Sequence, residues 1–219
     1  MSDATNFLYP FIESDERDAD ALLHDLTESA RAKVGVSTEL RRTTLARSSA
    51  TIARAAEAMS DRFARGGRLF AFGNGGSSTD AASLAALFLR PPWGVALPAR
   101  NLVEDSAVLT ALGNDVGFDL VFSRQLNAHA GDTDIAVGLS TSGNSRNLLH
   151  AFADAAVRGM LTIGIAGYSG GEMAASPDVH HCLVVDADSV HRIQETQVAI
   201  GFELWQAVQA RLSSRESSA

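Results

Sequence analysis

The chain has 219 residues, 46% of them hydrophobic, a formal net charge of −8 and a single cysteine. That is enough apolar material for one domain with its own core plus an added helical segment. An acidic balance with no basic run argues against a nucleic-acid groove, which is built from clustered Lys and Arg. A lone Cys182, set in an apolar run, rules out an intramolecular disulfide and reads as a small buried hydrophobe.

Residues 1–18 surround Pro10 with an apolar knot of Phe7, Leu8, Tyr9, Phe11 and Ile12. Three aromatics so close together suit packing against another element or another subunit. Acids at the start, and the lack of a basic stretch followed by an apolar one, read against a secretory leader. No apolar stretch reaches the roughly 18 residues of a membrane span, so a cytoplasmic protein is expected. From about Ala19 to Arg65 helical periodicity dominates, with one stripe of Leu22, Leu23, Leu26 and Ala30 and another of Ile52, Ala56, Met59 and Phe63. Gly35 and Ser37 predict a break, with Ser37 capping a second helix, and Gly66-Gly67 predicts a stop. Helices outside an α/β unit suit a subunit interface or packing on the same subunit's sheet.

Beyond Arg68 short apolar runs alternate with helices. Strands are expected over Leu69–Phe72, near Val95–Leu97, and over Ile135–Leu139, Leu161–Ile165 and Cys182–Val185. Helices are expected over about Asp80–Phe88, Asp105–Leu112, Phe118–Ala128, Leu148–Arg158 and Ile193–Leu212, with a brief one after the Gly167–Gly171 loop. Arg90-Pro91-Pro92 ends the first of these, and Ser213–Ala219 reads as a frayed polar tail. The domain boundaries expected are a helical segment at 1–41, an α/β domain at 42–212 and a tail at 213–219. Such alternation predicts a parallel sheet with helices on both faces, whose ligands bind beyond the carboxyl ends of the strands.

Two loops stand at those ends: Gly73-Asn74-Gly75-Gly76-Ser77-Ser78, and Ser140-Thr141-Ser142-Gly143-Asn144-Ser145. A strand that stops in such a loop leaves free N–H groups at the start of the following helix, where an anion is welcome. The second loop adds four hydroxyls, from Ser140, Thr141, Ser142 and Ser145, that donate to phosphate oxygens. The first loop, Ser77 included, is also consistent with no more than a glycine-dependent tight turn. A dinucleotide fingerprint fails because Ser78 stands at its third glycine and no acid follows about 20 residues on. A P-loop fails for want of its Gly-Lys-Ser/Thr. The hydroxyl-rich loop favours a phosphate monoester such as a sugar phosphate.

Five stretches in order resemble a known family: Phe72–Ser77, Ala111-Leu112-Gly113-Asn114-Asp115 with Gly117-Phe118, Phe122–Gln125, Ser140–Ser145 and Arg192-Ile193-Gln194-Glu195. They are similar to the sugar isomerase (SIS) domain, and more narrowly to the phosphoheptose isomerase family, which includes the protein that associates with the replication initiator DnaA. The resemblance covers about Arg42–Leu212. It implies a three-layer αβα sandwich on a five-stranded parallel sheet, preceded by N-terminal helices, and a homo-oligomer (tetramer or dimer) holding a sugar phosphate near subunit boundaries. The ligand residues it implies are Asn74, Gly75, Gly76, Asn114, Asp115, Ser140, Thr141, Ser142, Ser145 and Gln194, and Ser77 of the first loop is expected to bind the ligand with them. Gly143–Arg146 and Gly167–Glu172 look more like the DnaA-associating branch, and a protein partner is an expectation on that ground alone.

Aldose–ketose exchange moves a proton between neighbouring carbons and needs a base and an acid. The resemblance implies that a His and a Glu one helical turn apart, with a Gln and a second His on the last helix, hold zinc and move the proton. Those positions are Ser83, Leu87, Gln194 and Phe202 here. Leucine and phenylalanine neither bind zinc nor carry a proton, so no zinc, no metal site and no catalytic residue of the family kind is expected. Glu195, Asp115 and His191 are weak substitutes, each more at home as a structural or surface group. Asp80 reads as stabilising a helix N-terminus, Arg146 as either a phosphate partner or a surface arginine, and His180-His181 as structural. The reading is a phosphosugar-binding sensor or assembly partner; its rival is sedoheptulose 7-phosphate isomerase, or a relative with a rearranged site.

Overall fold

The computed structural model describes residues 19–216. The Phe7–Ile12 knot and the last residues of the expected tail lie outside them. Helix α1 runs from Ala19 to Ala64 as one element of 46 residues. The break expected at Gly35 and Ser37 does not occur, so one long helix stands where two were expected. A glycine inside a helix costs only about 1 kcal/mol against alanine, and Gly35 meets no neighbouring atom that would force a bend. The chain divides into two compact units between Glu39 and Leu40. In the first, Leu23, Leu26 and Val34 are exposed.

The second unit is a sandwich around a five-stranded sheet. In chain order it contains β1 (Leu69–Gly73), α2 (Gly76–Leu89), β2 (Ala99–Asn101), α3 (Ser106–Asp115), a 3₁₀ turn at Phe118–Leu120, α4 (Val121–His129) and β3 (Ile135–Ser140). Then follow α5 (Arg146–Val157), β4 (Leu161–Gly167), α6 (Gly171–Ala175), β5 (His181–Val185) and α7 (Val190–Glu216). All pairings are parallel, in the order β2-β1-β3-β4-β5. β1, β3 and β4 are buried on both faces, which is why they read as unbroken apolar runs. Leu69 and Ala71 face a core shared with Met59, Trp205 and Ile193. Phe70 and Phe72 face the opposite core with Phe122 and Phe152, the period-two alternation of a strand.

β2 lies four residues beyond its expected place at Val95–Leu97. There the backbone is already engaged: Val95 donates to Gln209 Oε1 at 2.9 Å and accepts from Gln209 Nε2 at 2.8 Å, and Leu97 donates to the Phe88 carbonyl. Helix α7 continues to Glu216, past the expected start of the tail at Ser213. At the amino ends of the strands, buried Asp134 accepts from the Arg68 N–H (2.7 Å), the Gly131 N–H (2.9 Å) and the Arg68 guanidinium (2.8 Å). That lock ties β1 to β3 at the end away from the two loops. Among the described residues no helix is long and apolar enough to cross a membrane.

Candidate functional site

The strand order reverses between β1 and β3, which pair from Leu69↔Ile135 to Gly73↔Leu139. A crevice forms at such a switch point, beyond the carboxyl ends of the strands, and the two loops read from the sequence leave the sheet there side by side. Gly75, at φ +53°, turns the chain into α2. Neither α2 nor α5 carries a side-chain cap hydrogen bond at its start; the N–H groups of Ser77, Ser78 and Leu148 go to the carbonyls of Asn74, Gly75 and Ser145, which leaves those of Gly76, Arg146 and Asn147 for an anion.

The second loop is a hydroxyl cluster. Ser140 Oγ, buried, lies 3.0 Å from Ser145 Oγ and 3.4 Å from Ser142 Oγ, and accepts the Gly143 N–H at 3.1 Å. Ser142 Oγ accepts the Asn144 N–H at 3.2 Å. The loop is braced from behind: Asn144 Oδ1 accepts the Glu172 N–H and the Gly143 carbonyl accepts the Met173 N–H. A Cβ on Gly143, at φ +68°, would overlap the Gly170 carbonyl. The Gly167–Glu172 loop is thus architectural.

Asn74 and Asn147 join the two loops through a reciprocal amide pair, each Nδ2 donating to the other's Oδ1 at 2.9 Å. Gln194 closes the third side, because a Cβ on Gly76 would overlap its Nε2 and approach its Cδ at 3.2 Å. Asn74, Gly75, Gly76, Ser140, Ser142, Ser145 and Gln194 therefore stand together at the carboxyl ends of β1 and β3, with Thr141 in the second loop and Ser77 buried in the first turn of α2. Asn114 and Asp115 stand apart: Asn114 Nδ2 donates to Asp115 Oδ1 at 2.7 Å on the exposed end of α3. Among the described residues no side-chain hydrogen bond ties Asp115, Glu195 or His191 to the loops, and the last two are exposed. Arg146 turns to Asp119, 3.5 Å away. His180 Nδ1 meets Thr162 Oγ1 at 2.5 Å, a structural contact.

Sequence reasoning missed two polar residues. Asn147, fully inside the first turn of α5, orients Asn74. Gln197, 0% exposed, donates from Nε2 to the carbonyls of Ser140 (3.3 Å) and Ile165 (3.1 Å), holding the ends of β3 and β4. The available signal was an amide set among apolar residues on the buried face of each helix, Asn147 beside Leu148 and Gln197 between Ile193 and Ile200.

Ser83, Leu87 and Phe202, the positions at which the family resemblance places zinc ligands, do come together. With Leu84, Leu139 and Val198 they line one cavity of about 170 Å³ between α2 and α7. Leu87 and Phe202 offer no donor atom, Ser83 gives its hydroxyl proton to the Thr79 carbonyl at 3.0 Å, and among the described residues no three His, Cys, Asp or Glu side chains form a metal-holding group. These residues do not fit zinc. Asp80 also lines this cavity. The expectation that it serves the helix N-terminus is corrected: it is the fifth residue of α2, its Oδ2 is buried without a hydrogen-bond partner, and burial pushes its carboxyl above the usual range.

The SIS domain family matches residues 35–167, more than half of the chain. Phosphoheptose isomerase of Geobacter sulfurreducens is 40% identical over 195 residues, spanning 87% of this chain and 99% of the relative. That of Solidesulfovibrio magneticus is 46% identical over 160 residues, 70% of this chain and 75% of the relative. Among solved structures, phosphoheptose isomerases of Neisseria gonorrhoeae and Francisella tularensis superpose with a TM-score of 0.76 each. They are 34% and 31% identical, each over 84% of this chain and nearly all of the relative (99% and 98%). With the five-stranded parallel sheet and its two crevice loops, these likenesses establish that the chain belongs to the SIS domain family, among the phosphoheptose isomerase relatives.

Proposed function

We propose that the chain holds a sugar phosphate at the β1–β3 crevice and does not isomerise it by the zinc-assisted route, acting in the cytoplasm as a sugar-phosphate sensor or assembly partner within a homo-oligomer. The phosphate is gripped by the hydroxyls of Ser140, Ser142 and Ser145 and the open N–H groups at the starts of α2 and α5, while Asn74 and Gln194 orient the sugar. The observation that carries this reading is the hydrocarbon surface of Leu87 and Phe202 at the positions where the family resemblance places metal ligands. Proton transfer between adjacent carbons needs a base within hydrogen-bond reach, and neither of these side chains is one.

A second reading, a phosphosugar isomerase with a rearranged site, is favoured by one feature. Asp80 sits in the same cavity with an unpartnered carboxylate oxygen, and burial of this kind tunes a carboxyl toward general acid–base work. Two measurements separate the readings. Sugar phosphates should raise the melting temperature in either case, since a ligand of the folded state stabilises it. Incubation with sedoheptulose 7-phosphate, with and without zinc, should yield no aldose on the first reading; turnover abolished by Asp80→Asn would establish the second. The double variant Ser142→Ala/Ser145→Ala should remove the thermal response while leaving the fold intact.

A further inference from the structure

At the end of the sheet away from the crevice, β1 and the edge strand β2 gather positive charge in a chain whose net charge is −8. Arg68 stands two residues before Phe70, and Arg100 is the register partner of Phe70 on β2. Strand geometry sends all three side chains to one face of the sheet, the face on which Phe122 and Leu126 of α4 pack with Phe70. The Arg68 guanidinium lies over the Phe70 ring, 5.3 Å from its centroid. Asp134 Oδ2 at 2.8 Å and the His129 carbonyl at 2.6 Å, both accepting from Nη2, hold it there.

The charges on this face do not balance. Asp134 neutralises Arg68, and its two oxygens are spent on Arg68 and on the Gly131 N–H. Among the described residues Arg100 and the His129 imidazole have no hydrogen bond or ion pair, and both residues are exposed. Like charges on neighbouring strands repel, so two guanidiniums set against one carboxylate leave a single positive charge for an outside anion to match.

Arg68, Phe70, Arg100 and His129 line one cavity of about 180 Å³, and Leu89 and Pro98 add hydrocarbon to its wall. Among the described residues no acid lines it. Its size compares with the roughly 150 Å³ apolar cavity that takes a benzene molecule, so it accepts a body of one ring. An inorganic anion would leave the hydrocarbon wall wet, and a neutral hydrocarbon would leave Arg100 unmatched. A dianion exceeds the single spare charge. A carboxylate fits that charge and the planar fork of a guanidinium.

We propose that this cavity is a second binding site, apart from the crevice, for a small organic monocarboxylate with an apolar body of about one ring. The carboxylate accepts from Arg100 and from the Arg68 Nη1 that Asp134 and His129 leave open, and the ring packs on Leu89 and Pro98. The site does not depend on what the crevice holds.

Calorimetric titration of the full chain with benzoate, benzamide, acetate and phenyl phosphate tests it. Benzoate should bind about tenfold or more tighter than benzamide, which keeps the ring without the charge, and than acetate, which keeps the charge without the ring. It should also bind tighter than phenyl phosphate. Arg100→Gln, at an exposed position that the fold does not need, should weaken benzoate about fivefold or more. Ser142→Ala/Ser145→Ala, at the opposite end of the sheet, should leave benzoate affinity unchanged. Undetectable benzoate binding overturns the proposal, as does equal or tighter binding of benzamide, acetate or phenyl phosphate. So does full benzoate affinity in Arg100→Gln, or its loss in the double serine variant, which would put the carboxylate in the crevice.

Discussion

Gly76→Ala isolates the contribution of Gln194 to ligand binding. Gly76 has no positive φ, so alanine suits its backbone. Its added Cβ would collide with Gln194 Nε2, the far end of a flexible side chain, and not with backbone. The side chain can swing away, so stability should change by no more than about 0.5 kcal/mol. What is lost is the amide's placement over the crevice. One neutral hydrogen bond is worth about 0.5–1.5 kcal/mol, which is roughly 2- to 12-fold in Kd. Titration with a bound sugar phosphate measures the loss, and urea unfolding checks the fold. A thermodynamic cycle adds the decisive comparison: if the alanine acts through Gln194, then Gly76→Ala combined with Gln194→Ala binds no more weakly than Gln194→Ala alone. Additive losses, or an unchanged Kd for Gly76→Ala, would refute the argument. Gly73→Ala is the contrasting control. Its Cβ would stand 2.6 Å from the Ser77 carbonyl oxygen and 2.9 Å from that of Leu139, backbone that cannot step aside, so it should impair folding.

Gly138→Ala would press a methyl within 2.6 Å of Phe152 and 2.9 Å of Phe72; overpacking of this kind costs about 1–3 kcal/mol, read as a lower urea midpoint. Asp80→Asn should stabilise the fold at neutral pH. A carboxyl whose folded pKa is raised disfavours folding once pH climbs through that value, so the gain should vanish below the ordinary carboxylate range; a flat difference across pH would contradict this. Burial lifts the Cys182 thiol from 9.0 to about 11. Its contribution to stability should therefore be intact below pH 9 and lost between pH 9 and 11, where the unfolded thiol ionises first. Cys182→Ala should flatten that part of the pH profile, and iodoacetamide at pH 8 should label the native chain far more slowly than the unfolded one.

The sheet was legible because each central strand is buried on both faces and ends in glycine or serine. Leu69–Gly73 and Ile135–Ser140 are apolar runs with an abrupt polar stop. β2 was misplaced because Val95–Leu97 has strand composition yet spends its hydrogen bonds on Gln209 and Phe88, a long-range choice no local pattern reveals. The long α1 escaped for the opposite reason: Gly35 and Ser37 signal an end, but a signal worth about 1 kcal/mol yields to the continuity of the helix on both sides. In the candidate site, the glycines and hydroxyls of the two loops were readable as motifs. Asn147 and Gln197, which only orient them, were not, because one amide in a helix looks the same whether it faces solvent or the ends of two strands. Asp80 was readable as a helix-start acid until its depth, one turn inside α2, placed it on the cavity wall.

The bracing of Ser140–Ser145 against Gly170–Glu172 leaves that loop little entropy to lose on ligand capture. Gly143 packs against backbone, Asn144 is pinned by the Glu172 amide, and the serines already satisfy one another. Affinity for a small anion then carries no ordering penalty, and complex formation need not wait for a gate to shut. On the proposed reading, occupancy of the site should accordingly follow the concentration of a sugar phosphate without lag.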